Sequence, residues 1–462
     1  MIDNQKLRKN LPKLQLALIS PASNGLKMNL DHIYLVSQEK IAEKIPSQYL
    51  FSPFSRWSGM GLGLLIISAL TPDIFQIDLI DENIKDIDFN KKYDLIAISL
   101  ITQQAPRAYI IADSFRAKGI PVILGGIHPT IMKDEAKAHA DSIIIGEAEE
   151  LWTTVIEDFL NKDLKSIYYS NDSVDLSKSP IPRYDLLDFS KYKIAWIQTT
   201  RGCPHGCEFC AASNIFGKRY RHKSIQQVIN EVQYIKRLTN IQIGFADDNM
   251  FVNREFSYTL LKELKKLNIN WITQTDISVG EDDELLELLR KSGCNSLFIG
   301  FESLSKRNLT SDDRENWKLK YIDNYATLIK NIQSYGIGVL GAFILGFDED
   351  EESTFNELAE FIISNNLYAS QLTILTPLPG TRLRERLLRE NRVISSDWNR
   401  YTFLDVNFIP KRMSPQRLQE GLYEVFQKVY DREVRIKVAQ HFKKIYHDLR
   451  HDPGEKVQKS RK

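Results

Sequence analysis

Cysteine is scarce in this chain, with four among 462 residues. That count excludes a disulfide framework, which would need paired cysteines spread along the chain, and points to a reducing compartment. Long hydrophobic runs are missing too. The longest, Met60 to Leu70, is too short to span a bilayer and reads as a buried helix. Neither sign of charge dominates: the formal net charge is +1, so no global field favours nucleic acid as a partner. The N-terminus, Met1-Ile-Asp-Asn-Gln-Lys6, mixes charges without an apolar core and is unlike a signal peptide. No Gly-x-Gly-x-x-Gly follows the first expected strand, which weighs against a dinucleotide. Gly59-x-Gly-x-Gly precedes an apolar helix without a strand before it, and reads as close helix packing. These absences leave a cytoplasmic enzyme of ordinary globular composition, long enough for two or three domains.

What is present centres on Cys203-Pro204-His205-Gly206-Cys207-Glu208-Phe209-Cys210, where three of the cysteines stand at C-x3-C-x2-C spacing. One loop of this kind can wrap a single metal centre from three directions. A structural zinc site wants four ligands, so zinc would need His205 or His222 to complete it. A cubane iron–sulfur cluster held by three thiolates keeps one iron open to bind a substrate or cofactor. Ahead of the loop, Ile194-Ala-Trp-Ile-Gln-Thr-Thr200 has the bulky alternation of a strand. After it, Ser224 to Leu238 carries apolar residues at helical spacing, with Ser224 as N-cap. The cysteines therefore fall at the carboxyl end of a strand, where α/β barrels place their active sites.

This stretch resembles the signature of the radical S-adenosylmethionine (radical SAM) superfamily, which has the same spacing and an aromatic residue, here Phe209, before the third cysteine. The resemblance implies a [4Fe-4S] cluster held by Cys203, Cys207 and Cys210, with SAM chelated at the open iron. Reduction by an electron donor such as flavodoxin or ferredoxin would then cleave SAM to a 5′-deoxyadenosyl radical. Cys294, which stands alone after Gly293, reads as a core residue.

In the first third, strands are expected at Leu14–Ser20, Gln76–Asp81, Asp94–Ser99, Pro121–Gly125 and Ser142–Ile145, with a helix over Ala105 to Lys118. A loop through Pro53-Phe54-Ser55-Arg56-Trp57 leads into the Gly59–Leu70 helix. This rhythm predicts a doubly wound, Rossmann-like parallel sheet that binds ligands at its strand carboxyl ends. Those ends carry Ser99, Gly125-Gly126-Ile127-His128-Pro129-Thr130 and Gly146-Glu147-Ala148-Glu149-Glu150. The loops look like those of the cobalamin-binding domain that precedes many radical SAM enzymes. That likeness assigns Ser99, Gly125, Gly126, His128, Gly146 and Glu147 to cobalamin. The Asp-x-His-x-x-Gly motif that gives the cobalt a histidine in other cobalamin proteins is missing, and His128 sits on a different loop. A Rossmann-like domain without cobalamin remains the alternative.

Ser170 to Pro182 is polar and aperiodic, and marks a linker. Beyond it, strands at Ile241–Ala246, Trp271–Thr275, Ser296–Phe301, Gly338–Leu345 and Ser370–Leu375 join the cysteine strand to give six, each with polar residues at its carboxyl end. The resemblance implies a partial six-stranded barrel. It also implies that Asp247-Asp248-Asn249 holds the SAM ammonium, that Glu302 contacts the SAM ribose or amino group, and that Ala342-Phe-Ile-Leu-Gly346 runs along the adenine. The expected domains are 1–169 (cobalamin), 170–190 (linker), 191–390 (barrel) and 391–462 (a mainly helical C-terminal cap).

The cap resembles the extension of radical SAM proteins related to the hopanoid methylases, and is expected to help close the substrate cavity. Its helix opens at Ser414-Pro415. Its basic residues, including Lys443, Lys444 and the stretch from Lys456 to Lys462, raise peripheral contact with an anionic membrane, a solvated helix face being the plainer account. The whole resembles a cobalamin-dependent radical SAM enzyme acting on a small-molecule or lipid substrate. The reaction implied is methylation of an unactivated carbon by way of methylcobalamin, with rearrangement or cyclisation without methyl transfer as the alternative. A methylthiotransferase would need a second cysteine set, which this chain lacks.

Overall fold

The computed structural model describes residues 13–22, 60–170, 173–215, 217–312 and 317–451. Met1 to Lys6, the Pro53–Trp57 loop, Gly59 and the Lys456–Lys462 end lie outside the described residues. Two compact units divide the chain, the first running to Lys191 and the second beginning, among the described residues, at Tyr192.

Six parallel strands form the sheet of the first unit: β1 (Leu14–Ser20), β2 (Phe75–Asp81), β3 (Leu95–Ser99), β4 (Val122–Gly125), β5 (Ser142–Ile145) and β6 (Ile167–Tyr169). Their order is β2-β1-β3-β4-β5-β6. Leu16 to Ile19 and Leu95 to Ile98 are buried without interruption, the pattern of strands covered on both faces. Because β1 pairs with both β2 and β3, the strand order reverses at β1. That reversal is the topological switch point at which such sheets bind ligands. The expected strands are all found, and the short β6 is added. Its three residues are too few for a periodic signal. The segment expected as a linker packs into this unit, with Val174, Leu176 and Tyr184 buried.

The second unit holds β7 (Ile194–Ile197), β10 (Gln242–Phe245), β11 (Trp271–Thr275), β12 (Cys294–Glu302), β13 (Gly338–Leu345) and β14 (Ala369–Ile374), all parallel and in sequential order. A separate antiparallel pair joins β8 (Thr200–Arg201) to β9 (Arg221–His222). β7 and β14 lie at opposite edges of the six-stranded sheet and are not paired with each other, so the barrel is partial. Helices alternate with the strands. The Ile225–Leu238 helix buries Val228, Ile229, Val232 and Ile235 along one stripe, and Ser224 and Gln227 close its N-terminus as a capping box.

The tail divides. Its first helix, Pro415–Val429, leads to Tyr430, whose hydroxyl donates to the Ser370 carbonyl at 2.5 Å, while the Phe403 carbonyl accepts from Ile374 N–H at 2.7 Å. These contacts cover the outer edge of β14, which would otherwise offer unpaired backbone groups. The last helix, Arg432–His451, meets Tyr368 and Gln333 through Arg435 and His441. Tyr368 immediately precedes β14, so this helix lies at the amino ends of the strands, away from the cysteines. The expectation that the tail helps close the substrate cavity therefore does not extend to this helix. Its amphipathic face gave no information on which end of the barrel it covers.

Candidate functional site

The approach to the cysteines is held by a buried carboxylate. Asp247, fully buried after β10, accepts the N–H groups of Thr199 and Thr200 at 2.7 Å each, and also the Thr199 hydroxyl. The chain leaves β7 after Ile197 and turns into the β8–β9 pair, so the expected Ile194–Thr200 strand is broken there. The break occurs where Asp247 captures the backbone that a continuing strand would need for its ladder. Lys223, following β9, donates its N–H to the Thr199 carbonyl at 2.9 Å and makes a buried ion pair with Glu231. Gly202 opens the cysteine loop at φ +94°, where a Cβ would lie 2.4 Å from the Arg219 carbonyl oxygen. Only glycine fits such a turn.

Cys207 is buried, and Cys203 and Cys210 are half-buried. Burial pushes the Cys203 thiol up to about 12; the His205 backbone bond partly offsets this, while Cys210 and Asp248 add to it. Burial also raises Cys210. Thiols placed this way ionise against a bound cationic centre. Among the described residues, no three His, Cys, Asp or Glu side chains are drawn together closely enough for a single metal ion. The donor set itself, three thiols on one loop, matches the three corners of a cluster whose fourth iron stays open. Cys294 lies apart in the core, its sulfur 3.6 Å from the Ser296 carbonyl oxygen.

Around this loop the strand ends bring further polar groups. Asp248 accepts the Gly202 N–H at 3.2 Å. Burial raises its pKa, and the Gly202 bond and the charges of Arg201 and Arg221 work against that rise. Asn249 donates to Asp276 at 2.7 Å and accepts from Thr275 at 3.2 Å. Asp276 is held down at about 2 despite its burial, because His205, Ser278 and Asn249 bond to it. Glu302, at φ +64° beside an irregularity between β12 and β13, pairs with Lys318 at 2.6 Å. The same ammonium lies 5.9 Å from the centre of the Phe209 ring, and Trp317 stacks on His205 at 5.4 Å. Asp276 lies at the carboxyl end of its strand, where polar residues were expected; Trp317 and Lys318 were not expected, and lie in a connection without any motif.

In the first unit, Ser99 and Gly125 are register partners at the ends of β3 and β4. Gly126 follows at φ +98°; a Cβ there would meet the Leu100 carbonyl oxygen at 2.8 Å and the Ser99 Oγ at 3.0 Å. Thr130 joins two loops, donating to the Gly126 carbonyl at 2.8 Å and accepting the Gly146 N–H at 3.0 Å. The absent Cβ lets the loops after β3 and β4 pack backbone to backbone at the carboxyl end of the sheet, the end at which such sheets bind ligands. Glu147 instead turns to the Val174 N–H at 2.9 Å. His128 is fully buried, with Nε2 3.1 Å from the Tyr109 hydroxyl and 3.4 Å from Glu135. Burial lowers its pKa, and Glu135 opposes that.

Family patterns match the same three stretches. The radical SAM superfamily pattern covers residues 197–362, a B12 binding domain covers 59–156, and a domain of unknown function covers 381–461. The bacteriochlorophyllide d C-12(1)-methyltransferase of Chlorobaculum tepidum is 31% identical over 425 residues, spanning 87% of this chain and 92% of that protein. The hopanoid C-2 methylase of Rhodopseudomonas palustris is 28% identical over 357 residues, spanning 74% and 67%. Among solved structures, the radical S-adenosylmethionine methyltransferase TsrM from Kitasatospora setae, with cobalamin and a [4Fe-4S] cluster bound, shares the fold at a TM-score of 0.60 and 13% identity, over 82% of this chain and 78% of that one. The chain belongs to the cobalamin-binding radical SAM superfamily, as an enzyme whose cofactors are a [4Fe-4S] cluster, S-adenosylmethionine and cobalamin.

Proposed function

We propose that this enzyme methylates an unactivated carbon of a small-molecule or lipid substrate. The single observation that carries the reading is the cysteine triad after the first strand of an open parallel barrel, in one chain with a second parallel sheet whose strand order reverses at β1. When bound, the cluster and SAM supply a 5′-deoxyadenosyl radical that removes hydrogen from the substrate, and cobalamin supplies the methyl group.

The residues divide by what their contacts leave them able to do. Cys203, Cys207 and Cys210 ligate the cluster, with Phe209 beside them. Asp248 takes the SAM ammonium, aided by its place next to Gly202. Asp247 and Asn249 act as positioning residues, since the chain already occupies their polar atoms. Glu302 meets SAM only together with Lys318, as a pair of nearly balanced charge. Ser99, Gly125, Gly126 and Gly146 admit the corrin edge, while Glu147 and His128 shape the loops behind it. The cobalamin region takes residues 1–169, followed by 170–190, the barrel at 191–390 and the cap at 391–462. A cytoplasmic flavodoxin or ferredoxin supplies electrons. The relatives' named substrates, a bacteriochlorophyllide and a hopanoid, favour a large polycyclic molecule here as well.

The test is anaerobic turnover with a low-potential reductant and SAM carrying a deuterated methyl group, using bacteriochlorophyllide and hopanoid acceptors. The reading expects 5′-deoxyadenosine together with label on substrate carbon. Release of 5′-deoxyadenosine with a rearranged, unlabelled product would instead establish the cyclisation alternative.

A further inference from the structure

An open barrel leaves its first and last strands without a shared ladder, and here those two edges carry the cysteine loop and the helix Arg382–Arg389 respectively. The helix reaches the loop. Leu383 N–H donates to the Glu208 carbonyl at 3.1 Å, and Arg382 donates to the Gly206 carbonyl. Arg386 places Nη2 2.7 Å and Nε 2.9 Å from Glu208 Oε1, while its Nη1 lies 2.8 Å from Asp348 Oδ2. One guanidinium thus joins the cysteine loop, the loop after β13 and the helix after β14. A cavity of about 20 Å³ lies between them, lined by Glu208, Phe209, Phe347, Asp348, Leu375 and Arg386 among others. Phe209 meets Phe347 edge-on across it at 6.1 Å.

We propose that Arg386 is a positioning residue for the cluster: through Glu208 it locks the cysteine loop to the last strand's helix and closes the cysteine end of the open barrel. Gly206 and Glu208 flank Cys207 directly, so holding them fixes the direction of that thiolate and limits how far the loop can swing outward. Two of the three groups joined are partly buried carboxylates, and a planar fork can satisfy both at once where a lysine could not. The helix begins where the domain of unknown function begins to match. The proposal therefore gives the first part of that domain a task, which is to hold the cluster loop. It rests on the reading that the cysteines hold a cluster.

The test uses the full chain, reconstituted anaerobically with iron and sulfide, and follows iron release into a ferrous chelator together with the electron paramagnetic resonance spectrum of the reduced cluster with and without SAM. Arg386→Met and Glu208→Gln should each release iron about tenfold faster than the parent, equivalent to about 1.4 kcal/mol in the release barrier. The double variant should be no faster than either single one, and the SAM-induced spectral change should broaden. Arg389→Met, on the exposed side of the same helix, should behave as the parent. Parental release rates in Glu208→Gln, which keeps size and fold, would overturn the proposal, and so would additive effects in the double variant. A parent chain that takes up no cluster would instead overturn the reading beneath it.

Discussion

Asp247 receives the backbone N–H groups of Thr199 and Thr200 at the same distance, 2.7 Å, from the same carboxylate oxygen. A buried side chain at the end of the second barrel strand thereby fixes the path by which the first strand delivers the cysteines. Asp247→Ala leaves two buried N–H groups without an acceptor. It should cost about 2–4 kcal/mol in a denaturant titration and lower cluster occupancy after reconstitution. An unchanged midpoint with full iron content would show that the turn holds without it.

Asp248 is the next residue and has a different task. Asp248→Asn should weaken SAM binding by about tenfold or more while leaving iron content at the parental level, because an amide oxygen can still accept the Gly202 N–H. Equilibrium binding of SAM to the reconstituted cluster measures this. Unaltered affinity and turnover would remove Asp248 from the site.

Lys223 and Glu231 are both almost wholly buried. Removing one partner strands the other charge, so Lys223→Met alone should destabilise by about 3–5 kcal/mol, and the double variant Lys223→Met with Glu231→Leu should regain most of it. Chemical denaturation of the three chains checks both statements. Equal loss in the single and double variants would mean that the contacts around the pair matter more than its charge.

Asp350 supplies a pH dependence. Burial raises its pKa to about 6 from 3.8, although Gly346, Asn308 and Phe347 donate to it. A carboxyl raised in the folded state favours folding fully below the unfolded value, and loses that contribution as pH rises through the folded one. Asp350→Asn should therefore gain stability relative to the parent between about pH 4 and pH 6.5, by about 3 kcal/mol across the window. Parallel denaturation curves at several pH values test it, and a constant difference between the two chains would contradict it.

The sequence made the strands of the first sheet legible because parallel strands buried on both faces are short, uniform apolar blocks between turn residues, as in Leu16 to Ile19 and Leu95 to Ile98. The cysteine loop was legible because its chemistry depends on local spacing. The contacts that hold it were hidden, since Arg386, Asp348 and Lys318 reach the loop from segments far along the chain. Nothing in the periodicity of the Arg382–Arg389 helix says which strand end it touches. At His128 composition says less: its place in a glycine-rich loop suggested a cofactor contact, while its Nε2 faces Tyr109 and Glu135 inside the domain. Loop composition identifies where a backbone turns, and leaves open which way a side chain then points.

The most direct test of the account is metal analysis of the chain reconstituted anaerobically with iron, sulfide and hydroxocobalamin, beside Cys203→Ala, Cys207→Ala and Cys210→Ala. The account predicts about four irons and about one cobalt per parent chain, with iron lost and cobalt kept in each variant. Parental iron content in the variants would contradict it.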